Sequence, residues 1–304
     1  MSDAPFGLLV VDKPAGCTSH DVVDRTRRAV GLRRVGHTGT LDPAATGVLV
    51  LMIGGATRLS EYLKADDKRY AGTVRFGAST TTYDAEGEVT AEGAASFDRG
   101  ELEAALGRFR GAIEQRPPAW SAVRRDGERA HVRARRGESV VLPARSVTIH
   151  SIELSDWSPP DARIELHCSS GTYVRSLAHD LGEALDCPAH LSALRRTACG
   201  SLTLDDAVPL DELERRAADG DWRALLRPVA DGLADLPRAV LEDGAARAIC
   251  HGIAVEAPDG LTAAGTPIRA ESGEGRLLAI VALDGEARVL RPSKVFVRAE
   301  EFER

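Results

Sequence analysis

The chain has 304 residues, of which 43% are hydrophobic and 28% are charged, a balance that is typical of globular proteins. This length is sufficient for one large domain or for a large and a small one, and no apolar run approaches the roughly 20 residues that span a bilayer. The five cysteines are odd in number and form no Cys-x-x-Cys pair, which argues against a disulfide framework and a structural zinc site and favours the reducing cytoplasm.

The net charge of −7 is unevenly distributed along the chain. Residues 201–304 contain 20 acidic and 13 basic residues, whereas residues 1–200 contain 26 of each. Within the balanced part, residues 108–136 hold nine arginines against three acidic residues, and a smaller basic cluster, RTRRAVGLRR, occupies residues 25–34. Such clusters are typical of phosphate binding, although each could also be a solvated helix face. A nucleic-acid partner is therefore compatible with the overall negative charge.

The first hundred residues predict strands interspersed with helices. FGLLVV lacks the basic flank of a signal peptide, so GLLVVDKP predicts a strand that ends at a proline turn. Thr18 or Ser19 can cap a helix that continues to about Val30. GVLVLMIG predicts a strand that is buried on both faces, ATRLSEYL a helix, KRYAGTVRFG an alternating strand and TTTYDAEGEV a loop.

Further along, an irregular segment separates a helix from a basic region. Residues 98–110 predict an amphipathic helix, whose inward residues are Leu102, Ala105, Leu106 and Phe109. QRPPAWSA cannot form regular structure, because adjacent prolines lack backbone donors. An arginine-rich helix at 128–136 and strands at about 145–155 and 162–168 follow.

The last third changes in character. SSGTYVRSLAHDLGEAL predicts a helix, and the acidic, alanine-rich stretch 205–235 predicts a helical connector. From about residue 236, short β-prone runs between Gly, Pro and Asp turns predict a small β-barrel-like domain. Hairpin-like strands with interspersed helices predict an α+β fold with a mixed or antiparallel sheet, divided into a large domain (1–235) and a small one (236–304).

The segment GHTGTLDPAATGVL, residues 36–49, places the carboxylate of Asp42 among glycines, threonines and Pro43. Pro43 favours an extended backbone at Asp42, and the glycines permit sharp turns or close approach of a ligand. A structural Asp-Pro turn between two strands is an ordinary alternative. No metal-binding, Gly-x-Ser-x-Gly, P-loop or dinucleotide motif accompanies it, and a glycosidase would need a second carboxylate. If the segment is a site, Asp42 acts alone as nucleophile or base, and a nearby guanidinium would keep it ionised.

Five segments, in the same order and at similar spacing, resemble the TruB family of pseudouridine synthases, the bacterial tRNA pseudouridine-55 synthases. They are DKPAGCTSHDVV, GHTGTLDPAATGVL, DKRYAGTVRFG, SSGTYVRSLAHDLGEAL and AHLSALRR. The resemblance covers roughly residues 7–200, and QRPPAWSAVRRDGERAHVRARRG is similar to the tRNA-binding segment of that family. It implies a catalytic domain at 1–235, with a tRNA-binding insertion near 108–136. It also implies isomerisation of uridine-55 in the T loop of tRNA to pseudouridine, with neither cofactor nor metal.

The resemblance assigns the reaction to three residues from distant segments. Asp42 corresponds to the catalytic aspartate, which attacks either the uracil ring or the ribose of an extruded uridine. Tyr70 corresponds to the tyrosine that stacks on the target uracil and takes part in the late proton transfer. Arg175 corresponds to the arginine that pairs with the catalytic carboxylate. Without the resemblance, Tyr70 would be an ordinary half-buried strand residue and Arg175 an exposed or ion-paired arginine.

Five further positions carry expected supporting roles. Tyr173 and Leu194 correspond to residues that line the uracil pocket, and His37 to the histidine that helps to extrude the nucleotide. Lys13 and Pro14 belong to a motif that supports the active-site loop, and the resemblance gives them no catalytic role.

Some positions depart from the family pattern. Thr81 stands where the loop after the tyrosine strand commonly has Asp, whereas Asp84, an expected RNA contact, is retained. Arg124, also an expected RNA contact, replaces the common Lys, and His131 replaces a frequent Tyr. These departures indicate altered RNA contacts rather than lost chemistry. The C-terminal 65 or so residues resemble a small PUA-like RNA-binding domain.

The implied partner is the T arm of tRNA, bound by a cytoplasmic monomer that needs no membrane and no obligate protein partner. A guide-RNA-dependent, dyskerin-like relative is the nearest alternative, and the arginine-rich segment and acidic C-terminal domain favour the stand-alone type. A catalytically inactive RNA chaperone is a second alternative, and tRNA folding could also accompany catalysis. A small-molecule lyase that uses Asp42 would leave the basic segments unexplained.

Overall fold

The computed structural model describes residues 5–121, 123–125, 127–138, 140–262 and 265–297. Within these ranges, no helix combines the length and the apolarity needed to cross a membrane.

The chain forms nineteen strands and seven α-helices in these ranges. The strands are β1 (Phe6–Lys13), β2 (Val35–His37), β3 (Thr46–Gly54), β4 (Lys68–Phe76), β5 (Ala78–Thr80), β6 (Val89–Glu92), β7 (Gly111–Gln115), β8 (Arg124–Arg125), β9 (Glu128–Arg129), β10 (Arg145–Ser158), β11 (Asp161–Cys168), β12 (Ala189–Cys199), β13 (Leu202–Thr203), β14 (Val208–Pro209), β15 (Arg238–Leu241), β16 (Val255–Glu256), β17 (Pro267–Ser272), β18 (Leu277–Asp284) and β19 (Val289–Val295). The helices are α1 (Ser19–Val30), α2 (Ser60–Ala65), α3 (Arg99–Gly107), α4 (Ala130–Arg135), α5 (Val174–Ala184), α6 (Leu210–Ala218) and α7 (Asp243–Cys250).

A ten-stranded mixed sheet forms the larger part of the molecule. Its main path is β14-β1-β3-β12-β4-β11-β10-β7, with β2 paired to β3 and β13 to β12. The contacts β1–β14 and β3–β12 are parallel, and the other pairs of this sheet are antiparallel. β3 and β12 are in register over only two residue pairs, Thr46 with Arg195 and Gly47 with Arg196. The sheet is therefore narrow at this junction, which divides it into two halves, and the predicted α+β fold with a mixed sheet is confirmed.

Each half of the sheet has its own apolar core. Leu9 and Leu51 face a cluster shared with α1 and α6, whereas Leu8 and Val50 face a cluster on the opposite side of β1 and β3. The other half is covered by α3 and α5. Tyr70 and Leu194 each contact two clusters, the one shared with α1 and α6 and the one covered by α3 and α5. Both side chains therefore lie at the boundary between the two halves.

The C-terminal part forms a five-stranded sheet in the order β15-β17-β18-β19-β16. It packs against the large sheet rather than standing apart from it. Leu277 and Ile280 belong to the same buried cluster as Leu8, and the rings of Phe6 and Phe296 lie 5.7 Å apart. The two sheets therefore share an apolar interface.

Most predicted local elements are confirmed. β1, β3, β4, β10 and β11 coincide with the predicted strands, and α1, α3 and α5 with the predicted helices. Thr18 is the N-cap of α1, where its hydroxyl accepts a bond from Asp21 N at 3.0 Å while its own amide donates to the Asp21 carboxylate at 2.8 Å. This reciprocal capping begins the helix where the sequence predicts it.

Four local predictions need correction. ATRLSEYL begins as a turn of 3-10 helix at Gly55–Leu59 before α2, and the arginine-rich helix is confined to α4, after the two-residue strands β8 and β9. Residues 205–235 are not a single connector, because β14 pairs with β1 and only α6 is α-helical there. The C-terminal module is not all-β either. Its helix α7 buries Ala246, Ile249 and Cys250, an i, i+3, i+4 pattern that indicates a helix.

Candidate active site

The loop that carries Asp42 lies between β2 and β3, at the junction of the two half-sheets. Ser19 holds it from α1, since its hydroxyl donates to Leu41 O at 3.1 Å and accepts from Leu41 N at 2.7 Å. Lys13 holds it from β1. Its fully buried ammonium donates to the carbonyls of Pro43 and Ala45 at 3.2 and 2.8 Å. These buried polar contacts fix the backbone on both sides of Asp42.

Asp42 meets Arg175, the second residue of α5, in a two-point ion pair. Arg175 Nη2 lies 3.3 Å from Asp42 Oδ1, and Nε lies 3.0 Å from Oδ2. The Nε contact is electrostatic rather than a well-aligned hydrogen bond. The Arg175 side chain is only 7% exposed, whereas that of Asp42 is 39% exposed. The carboxylate therefore opens to solvent in front of a buried guanidinium.

Arg175 is held by further acceptors from two other segments. Its guanidinium donates to the carbonyls of Thr82 and Trp120 at 2.9 and 3.0 Å, and it lies 3.3 Å from the carboxylate of Asp84. Asp84 itself accepts from the Thr82 hydroxyl at 2.5 Å and from the backbone amide of Glu86 at 3.0 Å. Asp42, Asp84 and Arg175 thus form one charged cluster, with two carboxylates around one guanidinium.

The pKa of the Asp42 carboxyl is raised above its ordinary value, chiefly because burial disfavours the charged form. Repulsion from Asp84 raises this pKa further, whereas Arg175 and Lys13 oppose the rise. The carboxyl is thus partly desolvated although its side chain is 39% exposed. Arg175 is therefore the guanidinium that the sequence analysis expected near Asp42, but it offsets only part of the rise that burial causes in the pKa of Asp42.

Tyr70 lies on β4 and is half-buried. Burial raises the pKa of its phenol to about 12, while the charge of Arg196 opposes the rise. In the β4–β12 register, Tyr70 is opposite Arg196. Two residues further along each strand, Gly72 is opposite Leu194. Leu194 and Tyr70 therefore occupy one face of neighbouring strands, beside the junction that carries the Asp42 loop.

Tyr173 is the N-cap residue of α5, immediately before the helix that carries Arg175. The fully buried Gln115 fixes its backbone, since Gln115 Nε2 donates to Tyr173 O at 3.0 Å and Oε1 accepts from Tyr173 N at 2.7 Å. The guanidinium of Arg145 lies 4.6 Å from the centre of the Tyr173 ring. The ring is half-buried and is held beside the Arg175 turn.

His37 is less directly connected to this cluster. It ends β2 opposite Leu51, and burial lowers the pKa of its imidazole to about 4, with help from the charges of Lys64 and Arg196. The ring is therefore neutral at pH 7. Its electrostatic neighbours are these two cations rather than the Asp42–Arg175 pair.

The positions that depart from the family pattern have different outcomes. Thr81 is exposed, and its hydroxyl accepts from Glu88 N at 3.2 Å, which closes the turn between β5 and β6. The backbone of Arg124 pairs with Arg129 in β8–β9. The side chains of Arg124 and His131 lie outside what the structure describes, so the predicted RNA contact of Arg124 stays a prediction.

Sequence reasoning did not single out Arg196. This arginine is 1% exposed, and its guanidinium donates to Val48 O at 2.7 Å and to Gly39 O at 3.1 Å, while its charge acts on the phenol of Tyr70. It therefore links both sides of the Asp42 loop and lies beside Tyr70. Strand alternation could have indicated it, because Arg196 shares a strand face with Leu194.

Solved structures with a similar fold are known. A chain of a Cbf5–Nop10–Gar1 complex matches with a TM-score of 0.79 at 26% identity, covering 98% of this chain and 87% of that one. A chain of an archaeal box H/ACA sRNP Nop10–Cbf5 complex matches in fold with a TM-score of 0.75 at 24% identity, over 97% and 88% of the two chains. Together with an aspartate–arginine pair at the junction of a mixed sheet, this fold defines a pseudouridine synthase.

Sequence comparison narrows the class. Residues 27–174 match the N-terminal domain model of TruB family pseudouridylate synthases, and residues 175–234 match the C-terminal domain model of tRNA pseudouridylate synthase B. The chain is 52% identical to the tRNA pseudouridine synthase B of Synechococcus sp. (strain WH7803), over 77% of this chain and 80% of that protein. It is 42% identical to that of Geobacillus thermodenitrificans (strain NG80-2), over 95% and 99%. The chain belongs to the TruB family.

Proposed function

We propose that this protein is a tRNA pseudouridine synthase, an isomerase that converts uridine-55 in the T loop of tRNA to pseudouridine. The observation that carries the proposal is the Asp42 carboxylate, accessible from solvent and paired with the buried guanidinium of Arg175. The relatives of the same family, which are named tRNA pseudouridine synthase B, support tRNA as the substrate.

The chemistry needs one carboxylate rather than two. A uridine within folded RNA must first leave its stack and enter a pocket, where the Tyr70 ring stacks on it and Tyr173 and Leu194 line the walls. Asp42 then acts as nucleophile, on either the uracil ring or the ribose, while the N–C glycosidic bond breaks. The uracil turns and rejoins the ribose through carbon, that carbon loses its proton, and the ring nitrogen that left the ribose gains one. Product and substrate have the same composition, so the reaction consumes no oxidant, reductant or water.

The protonation states around the site suit these roles. Arg175 opposes the rise in the pKa of Asp42 and so favours the ionised carboxylate that the reaction requires. A Tyr70 phenol with a pKa of about 12 is protonated at neutral pH, which fits a stacking ring. The charge of Arg196 would stabilise the phenolate if Tyr70 accepts the last proton. The neutral His37 would assist extrusion of the nucleotide by contact rather than by charge.

The partner and the domains follow from the same proposal. The arginines of 108–136, Arg124 among them, and the Asp84 loop would contact the T arm, and residues 236–304 would act as a PUA-like RNA-binding domain beside a catalytic domain at 1–235. We propose a monomer that acts in the cytoplasm without a protein partner. The solved Cbf5 chains lie in complexes with Nop10, whereas the relatives with the highest identities here are named tRNA pseudouridine synthase B.

The test uses purified protein and an unmodified tRNA transcript, with no other protein or RNA. Wild type is expected to form pseudouridine at position 55, and Asp42→Asn to bind the transcript with no product, because the amide is not a nucleophile. Asp161→Asn is the matched control, since Asp161 forms a two-point pair with Arg75 at 2.7 and 2.8 Å on the same sheet. It should retain activity.

Three outcomes would contradict the proposal. Pseudouridine formation by Asp42→Asn would show that Asp42 is not the nucleophile. Binding by wild type without any product would favour an RNA chaperone. Product only after addition of a guide RNA would favour the dyskerin-like alternative.

A further inference from the structure

Three potential metal ligands, none of them part of the Asp42 cluster, meet where β4 begins beside β11 and β10. They are Asp67, immediately before β4, His150 on β10 and His167 on β11. His150 Nε2 lies 2.9 Å and His167 Nε2 3.6 Å from the same oxygen, Asp67 Oδ2. One ligand atom from each residue lies within 4.8 Å of the other two. Among the described residues, these three side chains are the one group of His, Cys, Asp or Glu whose ligand atoms lie this close together.

The strand register explains why residues so distant in sequence meet. β11 pairs with β4 and β10, and the pairing places His167 opposite Arg69 on one side and Ser151 on the other. The β10–β11 register shifts between Ile149 and Ser151, so His150 is the extra residue of a bulge. Bulges re-aim a side chain, and here the two imidazole rings lie 4.7 Å apart, centre to centre. No local spacing motif could have indicated this group.

The donor set and its dimensions suit zinc. Two imidazole nitrogens and one carboxylate oxygen are ordinary zinc ligands, at about 2.0–2.2 Å from the metal. In a tetrahedron of that size the ligand atoms are about 3.3 Å apart, between the two distances that join Asp67 to the histidines. The side chains are 42%, 36% and 31% exposed for Asp67, His150 and His167, so a metal can enter and water can complete the coordination.

We propose that Asp67, His150 and His167 bind one Zn²⁺ ion, with water in the fourth position. The positive charge of Arg69 lies near His167 and opposes a cation, whereas the Asp67 carboxylate and the two imidazole nitrogens favour it. Through Asp67, which lies three residues before Tyr70, the ion would join the beginning of β4 to β10 and β11. It would stabilise these three strands where they meet and take no part in the isomerisation, because none of its ligands contacts Asp42 or Arg175 in the described contacts. The inference does not depend on the proposed function.

The experiment uses the full chain without a histidine tag, freed of metal by a chelator and titrated with Co²⁺ alone. We expect one Co²⁺ per chain, with the strong visible absorption of a four- or five-coordinate ion, and its displacement by Zn²⁺. His150→Gln, His167→Gln and Asp67→Asn should each weaken binding by about tenfold or more. His20→Gln is the matched control, since His20 and Asp24 form a surface pair at 3.6 Å and belong to no group of three ligands in the part of the chain that the structure describes.

Thermal unfolding provides a second readout. Zn²⁺ should raise the melting temperature of wild type and of His20→Gln, because an ion that binds the folded state stabilises it, and it should leave the three ligand variants unchanged. Melting of each variant in chelator shows whether it is folded. Two results would overturn the proposal. Wild type would give only the weak spectrum of hydrated Co²⁺, or the ligand variants would bind Co²⁺ as tightly as wild type. Pseudouridine formation should persist in chelator.

Discussion

Arg175 shows how a single buried residue sets the ionisation of the candidate site. A buried guanidinium without partners would be strongly unfavourable, but Arg175 contacts the carboxylates of Asp42 and Asp84 and the carbonyls of Thr82 and Trp120. The same contacts orient it towards Asp42. Because burial and Asp84 raise the pKa of Asp42, the guanidinium is the principal group that favours the ionised carboxylate.

Replacement of Arg175 should therefore change the pH dependence of catalysis. In the proposed mechanism the reactive form of Asp42 is ionised, so the rate should rise with pH through its pKa and be lost as pH falls below it. Arg175→Gln removes the charge that lowers this pKa, and we expect the acid limb to move to higher pH by about one to two units, with a lower plateau. The measurement is a single-turnover pH–rate profile on the tRNA transcript. Arg75→Gln, which breaks the exposed pair with Asp161, should leave the limb in place. An unmoved limb in Arg175→Gln would show that Arg175 does not control the ionisation of Asp42.

At the scale of elements, β12 joins the two halves of the sheet. Its only registered contacts with β3 are at Arg195 and Arg196. Gly47 makes this approach possible, since a Cβ there would lie 2.1 Å from Arg196 O and its φ is +100°, a conformation that favours glycine. The Arg196 guanidinium bonds the carbonyls of Gly39 and Val48, and its charge acts on the phenol of Tyr70. β12 thus positions Tyr70 and the Asp42 loop together.

The neighbouring arginines of β12 provide a matched pair of variants. Arg196→Met should lower the free energy of unfolding by about 3 kcal/mol or more, because it leaves two buried carbonyls without their donor, and it should also slow turnover. Arg195→Met should cost about 1 kcal/mol or less, since Arg195 is 41% exposed in its pair with Asp12. Urea unfolding measures both. Equal losses in the two variants would argue against a special role for Arg196.

At the scale of the whole molecule, the two sheets are joined by an apolar interface. Leu277 and Ile280 of β18 complete the cluster that covers β1 and β3, and the Arg58 guanidinium lies 5.1 Å from the Phe296 ring centre and donates to Val295 O at 2.8 Å. The C-terminal sheet therefore contributes to the core beneath the candidate site. We expect the two parts to unfold together rather than as independent domains.

Tryptophan fluorescence can test this coupling, because Trp120, Trp157 and Trp222 all precede the C-terminal sheet. Phe296→Ala should lower the stability reported by these tryptophans by about 2 kcal/mol, roughly half the cost for a fully buried Phe. Ile253→Ala, at a side chain that is 58% exposed, should leave their urea midpoint unchanged. If Phe296→Ala also leaves it unchanged, the C-terminal sheet unfolds independently.

Elements that depend on neighbouring residues were predictable from the sequence, whereas elements that depend on contacts between distant segments were not. β3 was predictable because its apolar run is long and bounded by glycines, and α1 because Thr18 begins it. The helix α7 was missed although Ala246, Ile249 and Cys250 have helical spacing, because the surrounding short β-prone runs dominated that region. β14 was missed because two residues contain no periodicity, and only their pairing with β1 makes them a strand.

The sequence by itself determined the local elements, the turn-prone composition of the loop around Asp42, and the family resemblance that singled out Tyr70 and Arg175. Periodicity, capping and turn chemistry act over a few residues, so they are readable locally. Only the tertiary structure decided which groups meet. It brings Arg175 to Asp42 across 133 residues, encloses both with Asp84, and brings Asp67, which precedes β4, together with His150 on β10 and His167 on β11. Those contacts depend on strand order, register and a bulge, and these are properties of the assembled sheet rather than of any one segment.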